Sequence, residues 1–333
     1  MAPLTRAAGL TNYREVASAS GLNPSRMLLD AGLSPSVLDE PDLMIPVEAF
    51  SRLLQASAIA SGNESFGLSM TRSRRLSNLG PVGLLMRDQA TLRDALNMLM
   101  RYQTVLSGTL LIAVEEHDDM VMIREAVVAG RHQSTRQRVE LVLGVMMCII
   151  RQLIGNEDWQ PRCVCFEHAA PRDLTVHTQI FGHAIEFGHT FNGIICHKAD
   201  LDTRIPFADP AMARYAQKLI NDTVPSPRSQ WLADLRRTIL LLLPSGRCSI
   251  KTVSEHLGVK PRTIQRRLAE DDQSFSSLVN DIRKELVARY VLESDRSLTE
   301  VTEILGFATS SSFSRWYGAQ FGCSATESRA LQP

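Results

Sequence analysis

Ser249-Ile-Lys-Thr-Val-Ser-Glu-His-Leu-Gly258-Val-Lys-Pro261-Arg-Thr-Ile-Gln-Arg-Arg-Leu268 is the stretch from which the fold can be worked outward. Ile250, Val253, Leu257, Val259, Ile264 and Leu268 recur at helical spacing, so two short helices each have an apolar side to bury. The chain must reverse between them, at Gly258-Val259-Lys260: a residue without Cβ reaches positive φ at little cost, and Pro261 suits the first turn of the next helix. With Ile264 and Leu268 inward, that helix presents Arg262, Thr263, Gln265, Arg266 and Arg267 to solvent. Guanidinium and amide groups on a face without acids suit a major groove, whose base edges offer matching acceptors and donors.

The same logic returns further along. Leu298, Val301, Ile304 and Leu305 are inward on one helix, Gly306-Phe307 forms the turn, and Ser310 to Gln320 forms a second helix with Phe313, Trp316 and Tyr317 inward. Ser310, Ser311, Ser312, Ser314 and Arg315 then face outward: small hydroxyls that allow close approach to a base edge, and one arginine able to bind guanine in bidentate fashion. One helix-turn-helix pattern is weak evidence, but a tandem pair at 249–268 and 298–320 is specific. Between them Phe275 to Leu292 reads as one helix, with Leu278, Ile282, Leu286, Ala288 and Leu292 near one stripe. Its roughly eighteen residues span about 27 Å. Half-sites on one face of B-DNA lie about 34 Å apart, so such a rod could set both helices into successive major-groove segments.

On these residues the segment 231–333 resembles the DNA-binding domain of the AraC/XylS family of bacterial transcription regulators. The likeness rests on Thr263-Ile-Gln-Arg-Arg-Leu268, the Phe275 to Arg283 linker start, and above all Ser297 to Phe321 with the following Gly-Cys-Ser324. It implies groove-contacting positions at Arg262, Thr263, Gln265 and Arg266 on the first recognition helix and at Ser310, Ser311, Ser312 and Arg315 on the second. It also implies structural roles for Phe275, Gly306, Phe307, Phe313 and Phe321. Two departures stand out: Lys260 occupies a position usually held by a helix-capping serine, whose loss costs about 1 kcal/mol, and Ala325-Thr-Glu-Ser-Arg329 replaces the usual Pro-x-x-Tyr-Arg.

At 333 residues the chain exceeds one ordinary core. The apolar rhythm breaks at Asn221 to Gln230, which holds two prolines among polar residues, giving an expected division into 1–225 and 226–333. In the first part, Ala17 to Leu29 and Val47 to Ala60 are helical by periodicity, and Thr91 to Leu106 is a helix opened by a threonine cap with Asp94 three residues on. Leu110 to Glu116 and Met120 to Glu125 flank His117-Asp118-Asp119 and read as a β-hairpin. A long helix over Gln133 to Leu153, a strand over Cys163 to His168, and the pair Ala184 to Phe187 and Gly193 to His197 complete an α+β unit. The fold class is thus two domains, α+β followed by all-α with two helix-turn-helix motifs joined by a long helix.

Residues 20 to 215 resemble the arabinose-binding-type N-terminal domain of a branch of the same family that includes ornithine-utilisation regulators. The likeness is carried by Asp30-Ala-Gly-Leu33, Pro41 to Pro46, Leu79-Gly-Pro-Val-Gly83, Thr91 to Leu96, His168-Ala-Ala-Pro171 and Phe181-Gly182. It implies an effector-binding and oligomerising role with variable ligands, not arabinose in particular.

Lys and Arg total 36, as do Asp and Glu, so the formal net charge is zero. Phosphate affinity depends on local charge, and Lys260, Arg262, Arg266 and Arg267 form an acid-free run, although Glu270, Asp271 and Asp272 follow at once and hold non-specific affinity down. The longest apolar run, Leu141 to Ile150, is about half of what spans a bilayer, and no signal-peptide core opens the chain, which places it in the cytoplasm. Six scattered cysteines with no Cys-x-x-Cys point to reduced, buried thiols rather than a zinc knuckle or disulfide framework. His183, His189, Cys196 and His197 have metal-ligand chemistry, but Phe-Gly-His runs at 181–183 and 187–189 read better as turn and strand-edge residues, and no metal is assigned. Glu115, Glu116, Asp118 and Asp119 read as a solvated hairpin tip, since catalytic carboxylates need a concave, partly buried setting. Leu141 to Ile154, with Met146 and Met147, suits core or dimer packing more than a ligand surface.

No nucleophile elbow, phosphate loop or dinucleotide fingerprint occurs, so no catalytic residues and no cofactor are assigned. The expectation is a sequence-specific regulator of promoter DNA that is not an enzyme. Its N-terminal domain is expected to bind a small effector and form a homodimer, and its output to be activation through RNA polymerase. The alternative keeps the DNA domain and makes the N-terminal domain a protein-interaction module without a small ligand.

Overall fold

The computed structural model describes residues 3–127, 135–223, 227–243, 246, 248–291 and 297–330. The chain forms two compact units that divide between 224 and 225, within the segment 221–230. Among the described residues no helix is long and apolar enough to cross a membrane.

The N-terminal unit is α+β. β1 (Leu4–Arg6) pairs antiparallel with β2 (Met44–Pro46). The single helix expected over Ala17 to Leu29 is two: α1 (Tyr13–Ala19) and α2 (Pro24–Asp30). Asn23 opens the second by accepting from the Arg26 amide at 3.1 Å, and Pro24 stands in its first turn, so the chain restarts there although its apolar residues continue in phase. α3 (Val47–Ser61), α4 (Phe66–Ser69), α5 (Pro81–Arg87) and α6 (Leu92–Leu106) follow, with the Thr91 hydroxyl accepting from the Asp94 amide at the start of α6.

β3 (Leu110–His117) and β4 (Met120–Val127) pair from Leu110↔Val127 to His117↔Met120, so His117 belongs to the strand and the reversal is Asp118-Asp119 alone. α7 (Arg136–Ile154) begins three residues later than expected; Gln133 and residue 134 lie outside the described residues. Then come β5 (Cys163–Phe166), α8 (Thr175–Phe181), β6 (Ile185–Phe187), β7 (Asn192–His197), α9 (Lys198–Leu201) and α10 (Pro210–Thr223). The sheet order is β3-β4-β7-β5-β6, with β5–β6 parallel and the other pairs antiparallel. β6 and β7 are neighbours in sequence but not in the sheet. α8 carries the crossover that parallel pairing requires, and the link after β6 folds across the end of β5, where the Gly188 and His189 amides donate to the His168 and Phe166 carbonyls.

α7 serves two cores. Leu141 packs with Tyr13, Phe50, Leu53 and Phe66 from the N-terminal helices, while Val139, Leu143, Met146 and Ile150 pack with Leu99, Ile123 and Phe166 against the sheet. The apolar run 141–154 is therefore largely core, but its half-buried Val142 and Val145 also line a cleft.

The C-terminal unit is all α: α11 (Pro227–Leu242), α12 (Ile250–His256), α13 (Pro261–Ala269), α14 (Phe275–Tyr290), α15 (Leu298–Ile304), α16 (Ser310–Phe321) and α17 (Ala325–Ala330). One core takes Leu235 and Ile239 from α11, Ile264 and Leu268 from α13, Leu278 and Ile282 from α14, and Phe313 and Tyr317 from α16. Both helix-turn-helix motifs thus share a core, with the long α14 contributing to it; the Ala288 side chain and Leu292 lie outside the described residues.

Candidate nucleic-acid interface and N-terminal cleft

The two turns are built alike. In the first, the Gly258 amide donates to Glu255 and Val259 to Ser254; in the second, Gly306 donates to Glu303 and Phe307 to Thr302. Both glycines have positive φ, +62° and +68°. Gly306 is also tightly seated: a Cβ there would lie 2.3 Å from the Leu243 carbonyl oxygen. Arg283 of α14 fastens this second turn, donating from Nε to the Leu305 carbonyl at 3.0 Å and lying 4.2 Å from the centroid of the Phe307 ring. Burial pulls its guanidinium below the ordinary value. The sequence reading had Arg283 only as part of the linker.

Arg262, Gln265 and Arg266 are exposed on α13 while Ile264 and Leu268 are fully buried. Arg262 and Arg266 are one turn apart and share a face. Thr263 is half-buried, and Arg267 lies 5.2 Å from the centroid of the Trp231 ring of α11, which occupies it structurally. On α16, Ser310, Ser311, Ser314 and Arg315 are exposed. Ser312 is half-buried and its hydroxyl donates to the Thr309 carbonyl at 2.7 Å, while its amide donates to the Thr309 hydroxyl at 3.2 Å. Its hydroxyl is thus held by the helix cap. Trp316 donates to the Asn280 side chain, and Asn280 donates to Gln320 at 3.1 Å, tying α16 to α14.

The two recognition helices start differently. Thr309 and Ser312 form a reciprocal cap for α16, whereas Lys260 precedes α13 with no side-chain cap. The lysine found in the sequence at a usual serine position has that structural consequence.

The N-terminal unit contains a half-open cleft with a volume of about 120 Å³. Its walls are largely apolar, with Phe50, Leu79, Leu99, Leu106, Val142 and Met146 among them, and three arginines, Arg6, Arg74 and Arg138, also line it. All three are buried. Arg6 donates to the Asn78 carbonyl at 3.1 Å and pairs with Asp42. Arg74 donates to the carbonyls of Ala8, Gly9, Thr11 and Met70. Arg138 donates to the Ser51 hydroxyl at 3.2 Å and the Thr109 hydroxyl at 2.7 Å. Burial lowers Arg74 and Arg138 to about 10, so both remain cations at neutral pH. Glu125 of β4, which acts on Arg138 across space, is buried with neither carboxylate oxygen hydrogen-bonded, and burial raises it well above the ordinary carboxylate range.

Two further groupings stand apart from these sites. Glu140 of α7 is fully buried, and its Oε1 lies 3.0 Å from Arg136 Nε, 3.2 Å from His177 Nε2 and 3.4 Å from His168 Nε2. The sequence reading missed it; its one local signal was the i,i+4 spacing of Arg136 and Glu140. Among the described residues, the grouping with metal-ligand geometry is Cys163, Cys165 and Glu186, not His183, His189, Cys196 and His197. Burial raises both of its thiols, Cys165 to about 12. Glu116 at the hairpin end is engaged by Lys198 and Arg93, and these partners, Lys198 foremost, hold its carboxyl below the ordinary range.

Comparison with known proteins matches residues 21–205 to a family described as the arabinose-binding domain of AraC transcription regulator, N-terminal, and residues 253–330 to a helix-turn-helix domain. The chain is 29% identical to the HTH-type transcriptional regulator VirS of Mycobacterium tuberculosis, covering 98% of this chain and 96% of that protein. It is 22% identical to the ornithine utilization regulator of Pseudomonas aeruginosa, covering 89% and 87%. Among solved structures it is similar to the transcriptional regulator CdpR of Pseudomonas aeruginosa, at 19% identity and a TM-score of 0.46, over 92% of this chain and 97% of that one.

Proposed function

Because this chain belongs to the AraC family of DNA-binding transcription regulators, a family of regulators and not of enzymes, we propose that it is a sequence-specific, effector-responsive regulator that activates transcription from a promoter it binds as a homodimer. The observation that carries the reading is the pair of exposed faces on one shared core: Arg262, Gln265 and Arg266 on α13, and Ser310, Ser311 and Arg315 on α16. These residues read base edges; Thr263 lies at the margin of the first face and Ser312 supports the second by capping its helix. The cleft supports a small-molecule effector over a pure protein-interaction role, because a concave, largely apolar space with few polar groups is the usual form of a small-ligand site. Effector binding alters the N-terminal unit or its self-association and so alters engagement of DNA, with contact to RNA polymerase as the output.

The test is binding of the purified protein to the DNA upstream of its own gene, with a salt titration and an unrelated competitor duplex. A competitor-resistant footprint over two major-groove segments per protomer is expected. Arg266→Ala or Arg315→Ala should cost about 1–3 kcal/mol on the cognate site and little on random DNA. Equal losses on both would reduce these arginines to phosphate contacts.

A further inference from the structure

We propose that the cleft of the N-terminal unit takes an amphipathic carboxylate, a small molecule with an apolar body and one carboxylate group, and that Arg138 is the residue on which the carboxylate sits. The proposal rests on the reading of this unit as an effector domain and names the chemical class of the effector.

The argument is an account of charge. Of the three buried guanidinium groups lining the cleft, Arg6 has a carboxylate partner in Asp42, and Arg74 is wrapped by four backbone carbonyls. Arg138 has only two neutral hydroxyls, those of Ser51 and Thr109, and among the described residues no carboxylate is within ion-pair distance of it. Glu125 is the acid that acts on it across space. That carboxyl is itself buried and accepts no hydrogen bond, desolvation disfavours its charged form, and it makes no ion pair with the arginine. A buried cation met only by hydroxyls is costly. An incoming carboxylate supplies both the missing charge and a planar acceptor that matches the guanidinium fork.

The rest of the wall selects the body of the ligand. Leu79, Leu99, Leu106, Val142, Val145 and Met146 offer no hydrogen bonds. The small polar groups nearby are already engaged: Thr5 donates to the Leu106 carbonyl at 3.3 Å, and the Ser107 and Thr109 hydroxyls are 3.3 Å apart. A pentose, whose every carbon carries an oxygen, would leave most of its hydroxyls unpaired against this surface. An alkyl or aryl body would be buried by it.

The test uses the full-length protein with four probes kept below their aggregation concentrations: decanoate, decanol, decyltrimethylammonium and L-arabinose. Binding is read by calorimetry and thermal shift. Decanoate should bind saturably and about tenfold or more tighter than decanol, the size of effect that one charge-assisted contact gives; the cation and the sugar should not bind. Arg138→Gln should bring decanoate and decanol to the same affinity. Val142→Phe, which fills the cleft from a half-buried wall position, should abolish binding of both. If Arg138→Gln does not fold, the carboxylate-to-alcohol ratio on the unaltered protein and the Val142→Phe result still decide. Equal affinity for decanol, binding of arabinose in place of decanoate, or decanoate binding that survives Val142→Phe would overturn the proposal. Failure of all four probes alongside a hit of another class from a metabolite screen would overturn the carboxylate but leave the effector reading standing. Failure of both would overturn the effector reading as well.

Discussion

The two turn glycines offer a controlled comparison, because they share a backbone conformation and differ in what surrounds them. Gly258 and Gly306 have φ of +62° and +68°. An L-residue held in that left-handed region loses roughly 1–2 kcal/mol, and alanine should incur that cost at either site. At Gly258 a Cβ would meet nothing within 4 Å; at Gly306 it would lie 2.3 Å from the Leu243 carbonyl oxygen and 3.1 Å from its carbon. Backbone cannot swing aside as a side-chain end can, and relieving such a contact by shifting it costs about 1–3 kcal/mol more. Gly258→Ala should therefore destabilise the C-terminal unit by about 1–2 kcal/mol, and Gly306→Ala by about 2–5 kcal/mol. The assay is equilibrium urea denaturation of the full chain in a Trp159→Phe background, so that fluorescence reports Trp231 and Trp316 of the C-terminal unit. Equal losses at the two positions, with unchanged denaturant dependence, would refute the reasoning, since they would mean that the close approach of the α11 end to the second turn carries no energetic weight.

Two further expectations concern stability. Lys260→Ser should supply the hydroxyl acceptor that α13 lacks and raise the unfolding free energy of the C-terminal unit by about 0.5–2 kcal/mol, measured by the same denaturation; no change would mean that Pro261 already sets the helix start. Glu125, whose carboxyl is raised by burial, binds a proton more tightly folded than unfolded, so its contribution is fully present below the unfolded value near pH 4.3 and is lost as pH rises through the folded value. Glu125→Gln should accordingly equal the unaltered protein in stability at about pH 4 and exceed it increasingly toward pH 8; a constant difference across that range would show that folding does not raise the Glu125 carboxyl above its unfolded value.

The tandem helix-turn-helix architecture was legible because every determinant is local: apolar spacing, a glycine at each turn and Pro261 lie within a few residues of what they shape. The hairpin and α6 were legible for the same reason. The break between α1 and α2 was hidden because the apolar phase continues across it, while the deciding signals, Asn23 and Pro24, act only on the helix start. Reading Ser310 to Ser312 as equivalent outward serines overlooked Thr309, whose reciprocal bonds hold the hydroxyl of Ser312. Arg283 was out of reach because its partners lie 22 residues on, at Leu305. The cleft had no local signature at all: its lining runs from Thr5 to Ile149, on elements brought together only by the fold.

The double duty of α7 governs how the N-terminal unit can come apart. Losing the helical cluster would leave the flank bearing Leu141 in water, and losing the sheet cluster would do the same to the flank bearing Met146 and Ile150. Neither layer can melt while leaving the other intact, so amide hydrogens in α3 and in β4 should exchange through one common opening rather than two. Phe50 belongs to one cluster and Leu99 to the other, and both line the cleft. A molecule held there would slow exchange on both sides of α7 at once, so that occupancy registers as a change in the cooperativity of the whole unit.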